Sequence, residues 1–79
     1  MSSTHSAIVE IAQTANKFSS SIVLQYDNKY IDVKSILGLF TTLTGMSNYT
    51  LHIHGQDADA AKKEMKEVFE KHSLSVKVV

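Results

Sequence analysis

The chain has 79 residues, in which eight Lys balance eight Asp plus Glu, and it contains no Cys, Arg, Pro or Trp. A neutral chain without Arg has no broad attraction to nucleic acid and lacks the usual bidentate reader of guanine, so no nucleic-acid partner is expected. The lack of Cys removes disulfides, thiolate metal sites and thiol nucleophiles together. No apolar run approaches the length of a membrane span, and residues 1–5 have no signal-peptide pattern, so the expected setting is cytoplasmic and off the membrane.

Residues 6–18 read as an amphipathic helix, with Ile8, Ile11, Ala12, Ala15 and Phe18 at helical spacing and Thr4 or Ser3 as the N-cap. Ser19-Ser20-Ser21 stops it. Residues 22–26 and 30–33 are β-rich runs. Asp27-Asn28-Lys29 joins them as a hairpin, because Asn tolerates a positive φ. Ile22, Leu24 and Tyr26 share one strand face. Residues 35 to about 44 carry the stripe Ile36, Leu39, Phe40 and Leu43 and stop at Gly45, which predicts a second helix. In residues 49–54, Leu51 and Ile53 point one way and Thr50, His52 and His54 the other.

After Gly55-Gln56-Asp57, a third helix is predicted over about 58–71 on the stripe Ala61, Met65, Val68 and Phe69. Asp57 and Asp59 suit its positive end, Lys71 and His72 its negative end. Lys62, Lys63, Lys66 and Lys71 read as its solvated face, and Met46 and Met65 as apolar filler. Residues 74–79 form a last β-prone run. The predicted order is α β β α β α β, in one domain over residues 1–79.

Ser35 stands where the second strand gives way to the second helix. Its hydroxyl suits an N-cap, and a phosphate on it would meet backbone N–H groups and the positive end of the helix dipole. His5 lies near the start of the first helix. It is either a nucleophile that accepts phosphate or an ordinary surface His. Thr4 reads as a cap. His52 and His54 offer two ligands where structural zinc uses four, so no metal is expected. No Gly-rich phosphate loop, catalytic triad or carboxylate pair in motif context is found, so neither an enzyme active site nor a cofactor is expected.

Four stretches stand out in their order and spacing: Gln13-Thr14-Ala15-Asn16-Lys17-Phe18, Tyr26-Asp27-Asn28-Lys29, Lys34-Ser35-Ile36-Leu37-Gly38, and Gly55 with the acidic start of the third helix. Together they resemble HPr, the histidine-containing phosphocarrier of the bacterial sugar phosphotransferase system. The resemblance covers residues 4–71. It implies an α+β open-faced sandwich, an antiparallel sheet with three helices on one face. It also implies a phospho-accepting His followed by Ala-Arg-Pro, but that His position falls on Thr4, the Arg on Ser6 and the Pro on Ala7. His5 is one residue away.

By the same resemblance, Ser35 is the regulatory phosphorylation site, and Ile36, Leu37 and Phe40 form the docking surface for protein partners. Those partners are a Ser kinase, a transcription regulator or phosphotransferase-system proteins. Family members that lost the His but kept the Ser act in carbon catabolite control, so a non-catalytic regulatory relative is expected. The alternatives are a phosphocarrier using His5 in phosphoenolpyruvate-dependent sugar transport, and an interaction module with neither phosphorylation. The family begins with a strand before the first helix, and this chain starts almost at the helix. Residues 74–79 are expected to fill the vacated edge, parallel to strand 49–54, because a strand–helix–strand crossover returns parallel. Otherwise that edge pairs with a second molecule, so a monomer or an edge-strand dimer is expected.

Overall fold

The computed structural model describes the backbone at residues 4–35, 37–39 and 48–79, and the side chains at residues 6–35, 37–39 and 48–79. In chain order the elements are α1 (Thr4–Ala15), β1 (Ser21–Tyr26), β2 (Lys29–Asp32), a helical segment α2 described at 37–39, β3 (Tyr49–His54), α3 (Ala58–Lys71) and β4 (Val76–Val78). The sheet order is β2-β1-β3-β4. β1 is antiparallel to both β2 and β3, and β4 runs parallel to β3 with Tyr49 opposite Val76 and Leu51 opposite Val78. This is the expected α+β layout, with the C-terminal strand at the sheet edge in the direction the crossover dictates. The sheet is therefore mixed, unlike the wholly antiparallel sheet of the resemblance.

Period-two alternation sets one buried face. Ile22 and Leu24 of β1 and Tyr49, Leu51 and Ile53 of β3 are buried. Ile8, Ile11, Ala12 and Ala15 of α1 pack on them, with Ala61, Met65, Val68 and Phe69 of α3. Each helix delivers these residues at positions three and four apart, which places them on one stripe. Tyr49 links the layers: its ring lies 5.6 Å from that of Tyr26 and 6.5 Å, edge-on, from that of Phe69. No helix among the described residues is long and apolar enough to cross a membrane.

Several boundaries differ from the sequence reading. α1 begins at Thr4, so Thr4 lies inside the helix instead of capping it, and Ser3 lies outside the described residues. α1 also ends at Ala15, three residues early. The Asn16 side-chain amide donates to the Ala12 carbonyl at 2.8 Å, and the next backbone bonds, Lys17 N–H to Thr14 and Phe18 N–H to Ala15, tighten to i→i+3 spacing. In the hairpin Tyr26 pairs with Lys29, and the left-handed residue is Asp27 at φ 55°, not Asn28. Asp visits this region for the same reason as Asn, its short polar side chain. Ile36, Phe40, Leu43, the stop at Gly45 and Met46 lie outside the described residues; Leu39 is buried as its stripe requires.

Candidate functional site

Ser35 caps α2. Its carbonyl accepts from Leu39 N–H at 3.3 Å, and its Oγ accepts from Gly38 N–H at 3.4 Å. The second bond is long, so the cap holds the hydroxyl weakly, and the residue is exposed. The platform beneath it is firmer. Ser35 N–H donates to the Asp32 carbonyl at 3.0 Å, and Lys34 N–H donates to Asp32 Oδ1 at 3.0 Å. The Lys34 ammonium donates to the Phe18 carbonyl at 2.7 Å, and the Asn16 amide reaches the Lys34 carbonyl at 3.1 Å. The Lys34–Ser35 peptide is thus tied to the end of α1. Gly38 lets α2 settle on β2, since a Cβ there would lie 2.6 Å from Ile31 Cγ2.

Leu37, two residues past Ser35, is 80% exposed, while Leu39 is fully buried. Ile36 and Phe40, the other two docking candidates, lie outside the described residues. His5 falls in the first turn of α1, and its side chain lies outside the described residues. About 15 Å of helix separates His5 from Ala15 at the end that abuts Ser35. The structure therefore keeps these two candidates apart.

His54 is exposed as expected, but His52 is half-buried: its Nε2 lies 2.8 Å from Gln25 Oε1, and its ring lies 6.2 Å from that of Tyr30. Among the described residues, no group of three or more His, Asp or Glu is placed to hold a metal ion.

Two polar groups carry more than the sequence indicates. Asp57, read as a helix-start acid, makes no side-chain cap bond to α3. Its carboxylate instead accepts from the Ser20 hydroxyl, from Ser19 N–H at 2.9 Å and from Ser20 N–H at 3.0 Å. These donors, the Ser20 hydroxyl foremost, hold its pKa down to about 2. Glu10, on the outer side of α1, takes Lys71 at 2.7 Å on one oxygen and His72 at 2.8 Å on the other. Lys71 leads in lowering the Glu10 pKa, followed by His72. Lys71 is therefore a bridge between α1 and α3, not merely part of a solvated face. The serine run and the basic end of α3 are visible in the sequence, but nothing local shows which acid each will meet.

An open sheet covered on one face by helices, with an exposed capping serine where the second strand passes into the second helix, defines a small α+β open-faced sandwich. The sequence model described as the PTS HPr component phosphorylation site matches residues 5–71, and the chain belongs to this HPr family of phosphocarrier proteins. The structure is similar to the catabolite-repression protein Crh of Bacillus subtilis, described as a swapped dimer (26% identity, 90% of this chain and 83% of that one, TM-score 0.78). It is similar to the HPr dimer of Thermoanaerobacter tengcongensis (29% identity, 90% and 80% covered, TM-score 0.79). It is also similar to a mycoplasma histidine-containing phosphocarrier protein (30% identity, 87% and 80% covered, TM-score 0.78).

Proposed function

We propose that residues 1–79 form one HPr-like domain that acts as a regulatory protein in the bacterial cytoplasm. It signals through phosphorylation at Ser35 and docks its partners through the second helix, in carbon catabolite control. The observation that carries this reading is the exposed Ser35 N-cap with Leu37 80% exposed beside it. A kinase would move the γ-phosphoryl of ATP to Ser35 Oγ, whose proton leaves as ADP is released. The product carries about two negative charges next to an apolar surface, which changes the partners that surface accepts. The chain is the kinase's substrate and performs no reaction of its own. The missing Arg bears on the other phosphorylation: no guanidinium exists to clamp a phosphate near His5. Incubation with a cognate Ser kinase and ATP, read by intact mass, should add one phosphoryl group, and Ser35→Ala should abolish the gain. No gain, or a gain that survives Ser35→Ala, rejects the reading.

One observation favours a second reading, in which His5 carries phosphate in the sugar-uptake chain. The family match begins at residue 5, and His5 lies in the first turn of α1. Enzyme I and phosphoenolpyruvate should then give an acid-labile adduct that His5→Ala removes.

A further inference from the structure

We propose that His52 and His54 form a chelate for a late divalent transition metal, Cu2+ above all, on the bare face of the sheet. β3 alternates, so Tyr49, Leu51 and Ile53 enter the core, and Thr50, His52 and His54 stand on the side away from the helices. At about 3.3 Å of rise per residue, the two His Cα atoms lie about 6.5 Å apart on that side. Two imidazoles rooted at this spacing can lean onto one ion at metal–nitrogen bonds of about 2 Å.

The hydrogen bonding of His52 suits it to this use. Its Nε2 lies 2.8 Å from Gln25 Oε1. An amide oxygen only accepts, so Nε2 carries the hydrogen and Nδ1 keeps its lone pair. Gln25 pairs with Thr50, whereas His52 pairs with Val23 and His54 with Ser21. The bond to Gln25 therefore draws Nε2 toward the hairpin, and Nδ1, on the other side of the ring, turns toward His54. Metal-bound imidazoles are held in this way, one nitrogen donating to an oxygen while the other ligates. The Tyr30 ring, 6.2 Å from that of His52, flanks it on the hairpin side. His54 is exposed at the end of β3, so its ring can meet the ion from solvent.

The donor set selects the metal. Among the described residues no group of three His, Asp or Glu is gathered, which excludes the closed four-ligand site of structural zinc. A tetragonal Cu2+ ion needs no such enclosure. It takes two imidazoles in its plane and water at the other positions, and it binds nitrogen ligands more tightly than Ni2+ or Zn2+ does. The chain has no Cys, so no thiolate competes for the ion.

Copper chloride titrated into the full chain at about pH 7.5, where a free imidazole is neutral, reads the site. All proteins carry His5→Gln, which removes the imidazole nearest the amino terminus. Calorimetry should give one Cu2+ per chain, with Ni2+ and Zn2+ weaker. His52→Gln and His54→Gln should each weaken Cu2+ binding about tenfold or more, because the second imidazole is no longer held beside the ion at high local concentration. Neither side chain enters the core, so circular dichroism without metal should match the parent. Gln25→Glu, a stronger acceptor for Nε2–H, should tighten the site, and Gln25→Leu should weaken it roughly tenfold. An ion held by scattered surface groups ignores both changes. Electron paramagnetic resonance should show two equatorial imidazole nitrogens on Cu2+ in the parent and one in each single His variant. Equal affinity in the parent and both His variants overturns the proposal, as does a single imidazole in the parent spectrum or an affinity that ignores both changes at Gln25.

Discussion

The Asp57 carboxylate meets Ser20 twice, at its backbone N–H and at its hydroxyl, and so fastens the start of α3 to the start of β1 across 37 positions of chain. Folding lowers the Asp57 pKa from 3.8 to about 2. A depressed carboxyl contributes stability that is complete above its unfolded value and is lost as the pH falls through the folded one. The clamp should therefore be intact above about pH 4–5 and fade down to about pH 2. Asp57→Asn keeps an acceptor oxygen but has no charge to lose. The gap in melting temperature between the parent and Asp57→Asn, followed by circular dichroism from pH 7 to pH 2, should narrow across that window. Glu10 also titrates at low pH but does so in both proteins, so it leaves the gap unchanged. A gap that stays constant with pH rules out the clamp as its source.

Gly55 approaches the same serine. It has φ 150°, and a Cβ would lie 2.6 Å from Ser20 Cα and 2.8 Å from Ser20 Cβ. The obstacle is backbone, which cannot rotate aside as a side-chain tip can. Gly55→Ala should cost about 2–3 kcal/mol, combining the strained dihedral with the clash. Urea unfolding measures this directly. A cost below about 0.5 kcal/mol, the usual range for a surface change, would show that the β3–α3 turn is not pressed against Ser20.

Phe69 ties the core to the end of α3. It is fully buried on α3, edge-on to Tyr49, and its carbonyl also closes the helix cap. Phe69→Ala should cost about 3–5 kcal/mol through lost transfer energy and the cavity left behind. A domain this size has about 4–12 kcal/mol in total, so the variant should be partly unfolded at 37 °C. Amide exchange across β3 should rise with it. A variant that stays fully folded with parent-like protection would show that the core refills the space.

What the sequence made legible was whatever repeats at short range. The α3 stripe Ala61, Met65, Val68 and Phe69 is buried as its spacing requires, and β1 and β3 alternate as read. Even the parallel direction of β4 follows from counting chain reversals. Long-range partners were not legible. Nothing local to Asp57 points to Ser20, and nothing local to Lys34 points to the Phe18 carbonyl. Each pairing exists only once the sheet has brought its ends together. The end of α1 was overread for the same reason. Phe18 continues the apolar stripe, but Asn16 sends its amide to the Ala12 and Lys34 carbonyls, and a tertiary contact overrides the local period. At the candidate site, the Ser35 cap was visible in the residue order, whereas the platform holding it belongs to α1.

That platform gives a prediction that separates structure from signalling at Ser35. The Oγ bond to Gly38 N–H is 3.4 Å long, while the Lys34 ammonium reaches the Phe18 carbonyl at 2.7 Å in a part-buried setting. Ser35→Ala should therefore cost only about 0.5 kcal/mol, the low end for a lost cap. Ser35→Asp should be near neutral, since a carboxylate caps equally well and suits the helix dipole. Lys34→Met keeps the aliphatic stem but loses the charged donor, and should cost about 1–2 kcal/mol. Urea unfolding of the three variants orders them. Finding Lys34→Met milder than Ser35→Ala would mean that the hydroxyl, not the lysine, holds the segment. Ser35→Ala could then no longer serve as a clean test of phosphorylation, because the site would deform along with the loss of its acceptor.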